Sequence, residues 1–175
     1  MKYIRWAVII LILVCSGVVN AQDSPSARVL EDIVVNYMTA INKGEFEEVV
    51  SLLHPEAINN ITRIFIREYE KALSEGRGGK FKNENHIDKS LLEIKKMESM
   101  DIAVYLLKII RMADSRFSPG VTEKMNAVIV KATGKEKIDD YAYKVKFIMF
   151  PPDNSILQNG ELIITKVNGA WKVYR

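Results

Sequence analysis

The chain has 175 residues, 48% of them hydrophobic and 27% charged, with a formal net charge of +3 at pH 7. That length and apolar share fit one domain with its own core and exclude a disordered or low-complexity chain. The charge excess is small and gathers into no basic face, so nothing in it argues for a nucleic-acid partner.

The first residues read as a targeting segment. Lys2 and Arg5 precede an unbroken apolar run from Trp6 to Val14, and Val19-Asn20-Ala21 gives short residues at a signal-peptidase site. The run is too short to span a bilayer comfortably. Cleavage after Ala21 is the expectation, with residues 22–175 as a single domain of net charge +1, since Lys2 and Arg5 leave with the signal. An uncleaved anchor is one alternative. A lipoprotein on Cys15 is the other, and the bulky Val14 before that cysteine argues against it. Cys15 is the only cysteine, so the mature domain would have no disulfide, no thiol nucleophile and no thiolate-bound zinc. Export without disulfides points to a periplasmic or extracellular location.

Ser24-Pro25 predicts a helix start, with Ser as the cap and Pro in the first turn. Val29, Leu30, Ile33, Val34, Tyr37, Met38 and Ile41 then recur at helical spacing, and Gly44 is the expected stop. A short second helix carries Phe46, Val49, Val50 and Leu53 inward, with Glu45, Glu47 and Glu48 at the positive end of its dipole. His54-Pro55 closes it, because proline disfavours helical geometry in the preceding residue. A third helix is predicted from about Ile58 to Ser74, followed by a flexible connector at Gly76-Arg77-Gly78-Gly79-Lys80 that lacks the spacing of a phosphate-binding loop. Asp88 to Met97 reads as a short charged helix. Ile102 to Ala113 is so evenly apolar that periodicity leaves helix and strand open, although its length favours helix.

Ser118-Pro119-Gly120 is a break, after which the period becomes two. Val128-Ile129-Val130 belongs to a first strand, and Gly134 to Asp140 reads as its polar connection. Tyr141 to Met149 alternates as a second strand, and Pro151-Pro152-Asp153-Asn154-Ser155 interrupts it. Leu162 to Val167 and Ala170 to Arg175 flank Asn168-Gly169, the strongest short-range signal for a two-residue hairpin. That turn would set Lys166 opposite Trp171, Ile164 opposite Val173 and Ile163 opposite Tyr174. Helices first and antiparallel strands afterwards predict an α+β domain, its helices packed on one face of a curved C-terminal sheet of about four strands.

Three features carry a resemblance. An amphipathic N-terminal helix runs into Asn42-Lys43-Gly44-Glu45-Phe46-Glu47-Glu48-Val49-Val50-Ser51-Leu52-Leu53-His54-Pro55, and the chain ends in a strand pair closing on Asn168-Gly169-Ala170-Trp171-Lys172-Val173. The chain thereby resembles the nuclear transport factor 2-like superfamily of cone-shaped α+β domains, which includes SnoaL-like and ketosteroid-isomerase-like proteins. The likeness covers about residues 26–58 and 121–175. It implies a bent sheet wrapped round a long helix, with a cavity at the open end of the cone. Residues 59–120 carry more helical sequence than compact members need and read as a helical insertion. The family holds enzymes, ligand binders and assembly modules, so kinship alone does not choose a function.

Chemistry is sparse in the sequence. His54 and His86 are thirty-two residues apart, in no metal-ligand spacing, and no Gly-x-Ser-x-Gly elbow occurs. His54 reads as a helix-end residue donating to a carbonyl, and His86 as solvated loop. Asp139, Asp140 and Glu161 lie at turns or strand ends, so no carboxylate faces inward from a strand as an isomerase base would. No catalytic residue, metal ligand or cofactor is assigned. The ligand-binding candidates are Tyr37, Tyr105 and Tyr143, each on an element expected to border the cone. Two function classes stand: an exported, non-catalytic module for a small apolar ligand or a protein partner, and a cofactor-independent SnoaL-like isomerase or hydratase. The first is the expectation. No stable membrane span is expected after signal cleavage, and a homodimer is left open.

Overall fold

In the computed structural model the described residues are 26–113, 127–150 and 158–174. The targeting segment, Ser24-Pro25, Ser118-Pro119-Gly120 and the proline break at 151–155 lie outside them. Among the described residues six helices precede a four-stranded antiparallel sheet, an α+β arrangement with helices packed against a curved sheet.

Helix α1 (Ala27–Lys43) is capped by the Ser26 side chain, which accepts from the Val29 amide. It ends at Gly44, whose φ of 77° lets the chain turn while the amides of Gly44 and Glu45 bond back to Ile41 and Ala40. Its buried stripe of Leu30, Val34, Tyr37, Met38 and Ala40 lies in the main core with the inner face of the sheet. Helix α2 (Phe46–Leu52) buries Phe46, Val49 and Val50, and then the chain bends. At the bend Leu53 forms a parallel bridge to Val173, and the His54 amide donates to the Val173 carbonyl at 2.7 Å.

Helix α3 (Pro55–Ser74) begins three residues before the expected Ile58. Proline at the first helical position has no N–H to leave unpaired, and the His54 side chain caps the turn. His54 therefore acts opposite to its sequence reading: its Nδ1 accepts from the Glu56 amide at 3.1 Å rather than donating to a carbonyl.

The expected connector at Gly76–Lys80 is also corrected, because helix α4 (Gly78–Glu84) starts within it. Phe81 gives this short helix a reason to form, its ring stacking on Tyr69 with centroids 5.3 Å apart. Helix α5 (Leu91–Lys95) starts with a capping box between Ser90 and Glu93. Helix α6 (Ser99–Ala113) settles the apolar run as helix. It is apolar on several sides because it serves two cores. Ala103, Val104 and Leu107 join the main cluster, whereas Ile102, Leu106 and Ile109 join a second cluster with Tyr69, Ile87 and Ile94. The stretch read as an insertion thus carries its own apolar centre.

Strands β1 (Ile129–Asp139), β2 (Ala142–Phe150), β3 (Gln158–Val167) and β4 (Ala170–Val173) follow one another in the sheet. The expected polar connection at Gly134–Asp140 is mostly strand: Gly134 pairs with Lys146 and Asp139 with Ala142, with register shifts near Thr133 and Ile138. An edge strand needs backbone pairing on one side only, so its polar side chains stay solvated without breaking the ladder. On the inner face Tyr143, Val145, Phe147 and Met149 of β2 lie beside Leu162 and Ile164 of β3. The final hairpin has the expected register, Lys166 opposite Trp171 and Ile164 opposite Val173, with the Tyr174 amide bonded to the Ile163 carbonyl. Asn168 and Gly169 have φ of 50° and 83°, the signs a type I′ turn requires.

Candidate functional site: a groove between the helices

The feature best suited to hold a ligand lies in the helical half. After α4 the chain reverses at His86, whose φ is 54°. The Ile87 amide bonds to the Lys82 carbonyl at 2.9 Å, and the Asn85 side chain caps Phe81 at 2.8 Å. This closure turns Ile87 into the second core and leaves Asp88 and Lys89 crossing over α6. There the Tyr105 hydroxyl donates to Asp88 Oδ1 at 2.6 Å and accepts from the amides of Asp88 and Lys89 at 3.2 and 3.4 Å. One phenol thus pins the α4–α5 link to α6.

Beside this latch is a groove of about 960 Å³, within the size range of small-molecule sites. Phe46, Ile87 and Ile109 form its floor, each nearly fully buried, and Met112 stands exposed at the mouth. Lys82 from α4 and Lys108 and Arg111 from α6 supply positive charge in the lining, where among the described residues Asp88 is the one carboxylate, and Asn83 and His86 are further polar groups. Each cation is held in place. Lys82 Nζ donates to the Asp88 carbonyl at 3.2 Å, and Lys108 pairs with Glu47 of α2 at 2.8 Å. Arg111 lies over the Phe46 ring, 5.8 Å from its centroid, and donates to the Ile41 carbonyl at 3.4 Å.

Titration follows from these contacts. Burial, helped by the hydrogen bond to the Asp88 carboxylate, pushes the Tyr105 phenol up to about 12. The same hydroxyl holds the Asp88 carboxyl below its usual range, and Lys108 does likewise for Glu47. Near neutral pH the pair is a protonated phenol on an ionised carboxylate. A carboxylate so stabilised is a weak base and the phenol a weak acid, the opposite of groups tuned for proton transfer.

The three tyrosines singled out from sequence do not gather at one site. Tyr105 lines the groove, whereas Tyr37 and Tyr143 are buried members of the main core. Burial raises the Tyr37 phenol to about 12. Tyr143 meets the edge of Trp171 at 5.6 Å and carries Lys135 Nζ 5.8 Å above its ring. The acids considered for a strand-borne base are exposed: Asp139 accepts from the Tyr141 amide, Asp140 pairs with Lys137, and Glu161 pairs with Lys144. Among the described residues no three His, Cys, Asp or Glu side chains form a group able to hold a metal ion. Among them, too, no helix is long and apolar enough to cross a membrane.

Sequence reasoning missed Lys82, Asp88, Lys108 and Arg111. The spacing of Tyr105, Lys108, Ile109 and Met112 on one helix was the available signal, since positions three and four apart share a face. Asp88, seventeen residues before its partner tyrosine, had none. No family model, curated protein or solved structure matches the chain.

Proposed function

We propose that the chain is a non-catalytic binding module, exported across a membrane, whose ligand lies in the groove beside Tyr105. The observation that supports it best is the Tyr105–Asp88 pair, which fixes the groove wall in a protonation state that stays unchanged around neutral pH. A buried apolar floor supplies the driving force for a ligand body, and the polar latch preorganises the wall. We keep nuclear transport factor 2-like kinship as part of the proposal. It draws on α1 lying against the inner face of a curved sheet and on the Leu53–His54 corner closing on β4.

The neutral fluorescent probe N-phenyl-1-naphthylamine tests the site. It should brighten on the folded protein, and Met112→Glu, an exposed change at the mouth, should weaken its binding without moving the thermal midpoint. A probe response that Met112→Glu leaves untouched would place the binding elsewhere. Export rests on the targeting segment, and intact mass of protein recovered from an exporting host should show a chain beginning at Gln22. A mass that retains residues 1–21, or a diacylglycerol on Cys15, counts against it.

A second reading, a cofactor-independent isomerase or hydratase, draws on the same 2.6 Å carboxylate–phenol contact. It would need Asp88 as base, so turnover of an enolisable ketone that Asp88→Asn abolishes would favour it over the binding module.

A further inference from the structure

We infer that the groove takes a small amphipathic anion, a carboxylate or similar head on an apolar body. This rests on the groove being the binding site and goes on to its ligand class. The floor and the mouth set the body: Phe46, Ile87, Ile109 and Met112 offer a continuous apolar surface, while the polar Asn83 and His86 lie with Lys82 and Asp88 on the α4 side. The walls set the head. Lys82 faces the groove from one side and Lys108 and Arg111 from the other, against Asp88 alone among the described lining residues. Asp88 has one carboxylate oxygen taken by the Tyr105 hydroxyl and sets a single negative charge against these three cations.

Glu47 shows how an anion is received. It lies outside the lining, exposed on α2, and its carboxylate takes Lys108 Nζ at 2.8 Å. An arriving carboxylate replaces one oxygen acceptor by another at the same ammonium, and no buried charge is left unpaired in the exchange. Since Glu47 is solvated, releasing it costs little. Arg111, stacked on Phe46, presents its guanidinium at the junction of apolar floor and polar wall, where the head of such a ligand would sit.

Decanoate, 1-decanol and decyltrimethylammonium share a chain length and differ in head charge, and all can be used as monomers. The readout is the methyl NMR signals of Ile87, Ile109 and Met112 in the whole chain from Gln22. Decanoate should shift all three and bind roughly tenfold tighter than decanol at low salt, with the gap shrinking as salt screens the lining. Lys108→Gln and Met112→Glu should each weaken decanoate several-fold more than decanol. Met112 is exposed, so its variant remains informative if Lys108→Gln proves unstable. Equal affinity for decanoate and decanol overturns the anion class and leaves the groove standing as a site. No shift at the three methyls with any of the probes overturns both. Binding to anionic phosphatidylglycerol vesicles without binding of free decanoate overturns the small-molecule ligand in favour of a membrane headgroup.

Discussion

Arg111 occupies the space that a side chain at position 44 would need. A Cβ on Gly44 would overlap Arg111 Nη1 and Cζ, and the same guanidinium reaches the Ile41 carbonyl at the end of α1. Gly44 is thus required for its φ of 77°, and a Cβ there would also push the flexible Arg111 guanidinium from its place beside the Ile41 carbonyl. Gly44→Ala should destabilise by more than the roughly 1–2 kcal/mol of left-handed backbone strain alone. In an Arg111→Lys background the added loss should shrink, because the overlapping guanidinium is gone while the strain remains. Urea denaturation of the two single variants and the double variant measures this coupling. Strict additivity would show that the two residues do not meet.

Tyr105 and Asp88 should be visible in titration. Of the seven tyrosines, Tyr37 and Tyr105 should ionise at about 12, well above the ordinary phenol value of about 10. A phenol whose folded value is raised contributes stability in full below about 10, lost as pH rises through the folded value. Tyr105→Phe should remove one late ultraviolet step and let the Asp88 carboxyl rise toward its usual range, followed by carboxyl NMR. The change should cost about 1 kcal/mol for the lost hydrogen bonds. An Asp88 titration that Tyr105→Phe leaves unmoved would contradict the latch.

The cap at His54 makes the corner at α3 acid-sensitive. Burial lowers the His54 value, with Glu56 partly opposing it, and the Tyr174 ring stands edge-on at 5.1 Å. The neutral imidazole is the form that accepts from the Glu56 amide, so protonation removes the cap. A depressed histidine contributes stability that is complete above about pH 6.5, the unfolded value, and lost as pH falls through the folded one. His54→Asn supplies an acceptor that does not titrate there. Its stability should stay flat across the window in which the parent weakens, as denaturation at stepped pH would record.

Trp171 is half-buried. It faces Lys166 beside the turn, on an edge strand, with Tyr143 against its flank and Lys166 Nζ 5.9 Å above its ring. Trp171→Ala should therefore cost less than the about 3–5 kcal/mol of a fully enclosed aromatic. In the chain from Gln22 its emission should lie between that of a dry and a solvated indole. Emission at the dry limit would mean the ring is covered by something outside the described residues.

The hairpin was legible because Asn168-Gly169 encodes two positive φ values and a two-residue loop permits one register. The end of α1 was legible for a related reason, since Gly44 is the residue that a left-handed stop favours. Periodicity failed at α6, where contacts with two cores spread the apolar positions round the helix. It failed again at Lys135–Asp139, whose pairing is made by backbone and leaves no trace in side-chain pattern. The groove was hidden for the deepest reason. Its parts come from α2, the end of α4 and the last turns of α6, and no local rule relates Asp88 to Tyr105 or Glu47 to Lys108.

The closing strand is tied to the bend before α3. Lys172 Nζ donates to the Ser51 carbonyl at 2.6 Å across 121 residues of sequence, and Val173 bridges Leu53 beside it. The second helical cluster is complete in the chain by Ile109, so it can form while synthesis continues. The main core draws on residues far apart in sequence, from Leu30 of α1 to Val173 of β4. The inner faces of α1 and α2 bury themselves against all four strands and against Ala103 of α6, so their cover is complete only once the sheet has closed. Closing so long a loop is slow, so the helical cluster can form before the sheet closes over α1. The bridge between Leu53 and Val173 thereby makes closure of the sheet over the helices, rather than formation of the helices themselves, the slow step of folding.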